Sequence, residues 1–214
     1  MGLIRQGILG GFRKKTGSVV GSYWRNLDVI RALPRNSGKA PSQQQIEHKK
    51  KFAMVTAFLS KASGLIDAGF KTGDTATPMN KALAYHLKEA VIGLWPNFTI
   101  DMQKFKYSVG SLELPDDVIV AGLAGGVIRF EWDRINEADK FINPGDTVTV
   151  VAYNPSKERF VKEVAAVTRG VGEFELQLPQ SFAGETVHLY ISFSSTIKKL
   201  NSDTSYLGTS IVLL

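Results

Sequence analysis

The second half of the chain is cut into strand-length pieces, and that punctuation limits the fold more than any other feature. Runs rich in β-branched and aromatic residues lie near 118–121, 127–132, 147–153, 160–168, 174–178, 186–193 and 206–213. Turn chemistry separates them: Ala124-Gly125-Gly126, Asn143-Pro144-Gly145-Asp146, Asn154-Pro155, Gly170 to Gly172, and Ala183-Gly184. Two of the runs alternate cleanly. Ile128, Phe130 and Trp132 oppose Val127, Arg129 and Glu131; Val187, Leu189, Ile191 and Phe193 oppose His188, Tyr190 and Ser192. About seven alternating strands at this spacing, with no long helix among them, predict an antiparallel β-sandwich of immunoglobulin or fibronectin III type over residues 97–214.

Residues 42–96 change period and predict a helical hairpin. Ser42 with Gln45 three residues on is a capping-box pattern. Ile46, Phe52, Ala53, Phe58, Leu59, Ala62, Leu65, Ile66 and Phe70 then recur at near-helical spacing, so a long helix to about Phe70 is expected, bent near Gly64. Thr77 as cap with Pro78 in the first turn starts a second helix. Leu83, Leu87, Ala90, Val91 and Leu94 share its apolar face, and Gly93 and Pro96 end it.

Residues 1–41 predict a basic glycine-rich arm and a β-ribbon. Six glycines fall in the first 21 positions, so this stretch has little to pack. Residues 18–24 and 29–33 have strand character on either side of the turn-like Arg25-Asn26-Leu27-Asp28, and Pro34 ends the second run. The chain as a whole therefore reads as α+β: an N-terminal β-ribbon and helical hairpin followed by a C-terminal antiparallel β-sandwich.

Charge divides along the same line. Residues 1–111 carry 17 Lys and Arg against 6 Asp and Glu, whereas residues 112–214 carry 9 against 14. Such asymmetry suits a basic element that meets an anionic surface, with an acidic module attached. The candidate partner- or phosphate-binding residues are Arg13, Lys14, Lys15, Trp24, Arg25, Arg31, Arg35, Lys49, Lys50 and Lys51. Cations can neutralise phosphates and aromatic rings can stack on bases. The plainer reading of the same residues is that Tyr23 and Trp24 cover the following helix while the charges face water.

Catalytic patterns are weak. The chain has no Cys, which excludes disulfides, thiolate metal sites and a Cys nucleophile. Gly11 and Gly17 have five residues between them where a phosphate-binding loop has four, and no Lys follows the second; neither G-x-G-x-x-G nor G-x-S-x-G occurs. His86 and Glu89 supply half of a di-metal motif whose other half is missing. Glu131, Asp133, Glu137 and Asp139 could offer paired carboxylates for glycosidic chemistry, but no flanking motif marks a catalytic pair. A non-enzymatic protein without cofactor or metal is expected. No signal peptide is recognised, because the short apolar runs at Leu3-Ile4 and 7–12 precede the basic cluster rather than follow it. No apolar run reaches the ~18 residues of a spanning helix.

One further pattern spans nearly the whole chain. Gly7-Ile8-Leu9-Gly10-Gly11-Phe12, Lys15-x-Gly17-x-Val19-Val20-Gly21 with Trp24, and Ile30-Arg31 with Pro34 open it. Lys51-Phe52-Ala53, Ala90-Val91-Ile92-Gly93 with Pro96-Asn97, Val151-x-Tyr153-Asn154-Pro155, Leu178-Pro179 and Phe182-Ala183-Gly184-Glu185-Thr186-Val187 continue it. Together these resemble an uncharacterised bacterial family, a domain-of-unknown-function group of similar length. The resemblance implies a basic N-terminal region with a C-terminal sandwich and supplies no catalytic residues.

The expected function is that of a structural or interaction protein. The basic N-terminal arm would anchor to protein partners in a larger assembly, other copies of the chain among them, and the sandwich would serve as spacer or binding face. A phage-type virion or another multi-subunit particle fits that expectation, with a cytoplasmic or particle-associated location. The alternative is a nucleic-acid-binding protein using the basic N-terminal half on phosphates.

Overall fold

The computed structural model describes the chain except residues 1, 4–11, 25–26, 36–37, 71–75, 135–141, 196 and 214. The fold is mixed α+β and divides into two compact units, Met1–Ser42 and Gln43–Leu214.

The first unit is built on a sheet larger than the expected ribbon. Strands β1 (Gly2–Leu3), β2 (Lys14–Thr16), β3 (Val19–Trp24) and β4 (Leu27–Ala32) pair antiparallel in the order β1-β4-β3-β2. The predicted β3–β4 hairpin is present, with Trp24 opposite Leu27. Within the stretch expected as a basic glycine-rich arm, Lys14–Thr16 and Gly2–Leu3 add a strand at each edge. Two strands alone are marginal, and the added edges supply further ladder bonds. Gly21 is needed at its position: a Cβ there would lie 2.0 Å from the carbonyl oxygen of Phe12, which crosses over the sheet.

In the second unit, three helices precede the strands: α1 (Gln43–Ser60), α2 (Ser63–Gly69) and α3 (Pro78–Glu89). The single helix expected up to Phe70 is two. The break comes at Lys61 and Ala62, before Gly64, where Ser60 Oγ donates back to the Ala57 carbonyl and the next two N–H groups reach only three residues back. The break keeps Phe58, Leu59, Ala62, Leu65 and Ile66 all buried. Helix α3 starts as its cap predicts, with the Asn80 N–H donating to Thr77 Oγ1. It ends at Glu89, short of the expected face: Val91 falls in β5 (Val91–Ile92), which pairs with β6 (Thr99–Ile100), and Leu94 lies in the turn between them.

Residues 101–117 carry a short 3-10 turn and then lead to the sandwich. This connection is stitched to the C-terminal region through Thr204, whose Oγ1 accepts the N–H groups of both Tyr107 and Ser108. The seven expected strands are all present: β7 (Val118–Leu123), β8 (Val127–Trp132), β9 (Thr147–Asn154), β10 (Arg159–Thr168), β11 (Glu173–Gln177) and β12 (Thr186–Ser195), then, after the two-residue β13 (Leu200–Asn201), β14 (Ser205–Ile211). One sheet has the order β11-β8-β7. The other runs β10-β9-β12, with β13 and β14 both on the far side of β12. In immunoglobulin constant domains the fourth strand joins the sheet of the first. Here the fourth, β10, pairs with the third, β9, which is the fibronectin-type arrangement.

Between the sheets lies a core of Ile128, Phe130, Trp132, Val148, Val150, Ala152, Leu189, Ile191 and Phe193, among others. A second core lies on the opposite face of the β9–β12 sheet. There Val151, Tyr153 and Tyr190 pack with Phe58, Leu59, Ile66, Ala82 and Phe105. The unit is therefore layered as helices, sheet, sheet. The strand β12, for all its alternating sequence, is buried on both faces along most of its length.

Candidate functional site

The basic residues that the sequence singles out fall in both units. In the first, cross-strand register fixes which of them share a face. Lys15 lies opposite Val20, and Val20 opposite Arg31, so the two cations flank one valine on one face of the sheet. Trp24 follows Val20 at an even interval and belongs to the same face, with Leu27 across from it. Lys15 and Arg31 are exposed, and Trp24 keeps 54% of its surface accessible. On the other side of the strand, the Arg13 guanidinium stands 4.9 Å over the Tyr23 ring. Lys14 is exposed at the edge with φ of 76°, and Arg35 is exposed just past Pro34. Arg25 lies outside the described residues.

In the second unit, Lys49, Lys50 and Lys51 sit on consecutive positions of α1. The β5–β6 turn meets two of them. Lys50 Nζ donates to the Pro96 carbonyl at 2.6 Å and lies 5.0 Å over the Trp95 ring; Lys51 Nζ lies 4.6 Å over the Phe98 ring. Beside them Leu94 is 86% exposed, and Ile92 and Trp95 are also exposed. The result is a small surface of ordered lysines with apolar and aromatic groups between them. Cation–π contacts of this kind contribute about 0.5–1 kcal/mol each when exposed. They hold the Lys50 and Lys51 ammonium groups without neutralising them, because among the described residues Lys49, Lys50 and Lys51 form no ion pair with a carboxylate.

Leu94, Trp95 and Phe98 were not foreseen as site residues. The sequence places them more than forty positions after the lysines, on what reads as the end of a helix. The available signal was the aromatic-rich Leu94-Trp95-Pro96-Asn97-Phe98 run, which is more apolar than an ordinary surface turn needs to be.

Two of the other sequence candidates, His86 and Glu131, have structural partners. His86 is fully buried, with Nδ1 2.7 Å from the Ala82 carbonyl and Nε2 accepting the Lys106 N–H at 3.2 Å. Both ring nitrogens are thereby engaged by backbone, and burial holds its pKa below the ordinary histidine value. Among the described residues no group of three or more His, Asp or Glu converges as a metal-ligand set. Glu131 lies on the outer face of β8, where the Arg129 guanidinium approaches it at 3.8 Å and bonds Glu175 at 2.6 Å. Glu137 and Asp139 lie outside the described residues. Among the described residues, no helix is long and apolar enough to cross a membrane.

Residues 11–208 match a family of unknown function, DUF6266, and the chain belongs to that family. No curated protein matches the chain.

Proposed function

We propose that this DUF6266 protein is a non-enzymatic interaction protein that docks on a larger assembly through its basic, aromatic-studded surfaces, with the sandwich as spacer or binding face. The observation that carries this reading is the Lys50–Trp95 and Lys51–Phe98 pairing beside the bare Leu94 side chain. Exposed apolar groups among ordered cations are what a protein interface uses: the apolar part gains from burial, and the charges select an acidic partner and set its orientation. The Lys15–Arg31–Trp24 face of the first unit has the same composition. Multi-subunit particles, virions included, are assemblies of this kind.

The second reading, binding to nucleic acid, draws on the Arg13–Tyr23 stack and the exposed Trp24, because cations beside solvent-exposed aromatic residues also suit phosphates and bases. One experiment separates the two. Full-length protein is passed over a sizing column with light scattering and a 260/280 nm absorbance ratio, at moderate and at high salt. A multimer or a partner complex with a protein-like ratio supports the docking reading. A nucleic-acid ratio that disappears at high salt supports the alternative. A monomer that binds neither an acidic protein partner nor nucleic acid, at any salt concentration, overturns both.

A further inference from the structure

On the helix-facing side of the central sheet the side chains change character along the strands. Tyr153 and Val151 of β9 and Tyr190 of β12 lie in the core beneath the helices. The next positions on the same face are Thr149 and Thr147, and Ser192 and Ser194. Over these hydroxyls a cleft of about 370 Å³ opens. One wall is α2, through Leu65 and Ala68; the other is β10, through Val164 and Ala165. Strand β10 makes the room by bulging. Its pairing with β9 breaks between Glu163 and Val167, and Ala165, a non-glycine residue, takes the left-handed conformation at φ 53°. Such a conformation carries a cost that a plain ladder would avoid, and strained bulges are enriched beside functional sites.

The polar inventory of the cleft is one-sided. Thr149 Oγ1 accepts the Ala165 N–H at 3.4 Å and Ser195 Oγ accepts the Lys198 N–H at 3.3 Å, and among the described residues neither hydroxyl donates to a partner, so each proton can serve a ligand. Asn201 spends its amide group on the carbonyls of Ala68 and Gly69 and closes the floor. Lys199 is the one charged residue lining the cleft, and no carboxylate lines it among the described residues. Most of the remaining wall is apolar, and Val164 is 51% exposed at the mouth. Small-molecule sites are commonly about 300–1,000 Å³, mostly apolar, with a few convergent polar groups.

The geometry points to a binding site for a small amphiphilic carboxylate, its head group taking the Lys199 ammonium and the free hydroxyl protons and its hydrocarbon or aryl body lying against Leu65, Ala68 and Val164. Sugars fit less well, because the cleft offers neither a carboxylate nor an open aromatic platform. The site shares no residue with the lysine surface of α1, so it stands or falls independently of the docking role.

The test is calorimetric titration of the full-length protein with hexanoate, and with hexanol and hexylamine as neutral and cationic isosteres. Hexanoate is expected to bind saturably and about tenfold or more tighter than either isostere. Lys199→Met should weaken hexanoate about tenfold while leaving the melting temperature unchanged. Val164→Trp, which fills the mouth, should abolish binding. Lys199 is exposed, so its variant keeps the test valid if the Trp variant folds poorly. Absence of saturable hexanoate binding, equal binding of all three probes, or native affinity in both variants overturns the proposal.

Discussion

The guanidinium of Arg169 lies 4.7 Å over the ring of Phe193 and is fully buried. Its Nη1 donates to the Glu113 carbonyl at 2.7 Å, and its own carbonyl accepts the Trp132 indole N–H at 2.8 Å. Nε and Nη2 have no hydrogen-bond partner among the described residues. Burial accordingly lowers its pKa, against smaller opposing effects from Asp146 and Glu113. A cation held this way contributes packing and one good hydrogen bond against a large desolvation penalty.

The expected outcome is that the shape of Arg169 matters more than its charge. Arg169→Met keeps the stem and removes the penalty, so its stability should lie within about 1 kcal/mol of wild type. Arg169→Ala leaves a cavity beside Phe193 and should cost about 3–5 kcal/mol. Urea unfolding of the two variants distinguishes them; equal losses would show that the charge itself is required.

Stability should also fall in mild acid through His86. The fold holds the neutral ring, with Nδ1 against the Ala82 carbonyl and Nε2 accepting the Lys106 N–H. Its folded pKa lies below 6.5, so the unfolded chain takes up a proton that the folded chain refuses. The full contribution is present above pH 6.5 and is lost as pH falls from there toward the lower folded value. The limiting slope is about 1.4 kcal/mol per pH unit for one proton. His188, also lowered by burial, acts in the same direction. Thermal melts from pH 8 down to pH 5 (about 1.5 units on either side of the ordinary histidine pKa) should therefore show a decline that His86→Gln reduces. An unchanged pH profile in that variant would refute the assignment.

Strand-level patterns were legible because period-2 alternation and Gly/Pro turns are local. All seven sandwich strands sit where Ile128-Phe130-Trp132 and its counterparts place them. The helical covering of the second face was not legible. Tyr190 and Ser192 alternate with Leu189 and Ile191 as a solvent face would, and only packing against Phe105 and α2 reveals that face as interior. The lysines of α1 were legible as a cluster, but their aromatic partners were not. Trp95 and Phe98 reach them through the β5–β6 turn, and no local signal in the sequence links a helix start to a turn so far along the chain.

Gly110 should be the least replaceable residue of the 101–117 connection. A Cβ there would stand 2.0 Å from the Asn201 carbonyl oxygen, a backbone atom fixed by its bond to the Leu112 N–H. Gly110→Ala must push the two segments apart and should cost roughly 2–4 kcal/mol, as overpacking of a fixed backbone does. At Gly125, where nothing lies within 4 Å but φ is 81°, alanine should cost only the backbone term of about 1–2 kcal/mol. Denaturant midpoints for the two variants give the comparison, and a smaller loss at Gly110 would contradict the close approach.

The docking surface makes the last prediction, and it separates binding from folding. Lys49 and Lys50 are exposed and Lys51 is half-buried, and among the described residues their side chains are tied to the fold through the weak ring contacts and the Pro96 hydrogen bond alone. Reversing all three to Glu should therefore lower stability by no more than about 1–2 kcal/mol. Binding to an acidic protein partner should be lost almost wholly, because each charge is inverted where the partner's opposite charge must come. Leu94→Ser should weaken the same binding without changing its salt dependence, since that side chain contributes only apolar area. If the partner is nucleic acid, the logarithm of affinity against the logarithm of salt concentration should flatten by about 0.9 for each phosphate contact that the reversal removes. A protein partner should show a shallower dependence. Retained binding in the triple reversal, with the fold intact, would exclude this face as the contact and turn attention to the Lys15–Arg31–Trp24 face of the first unit.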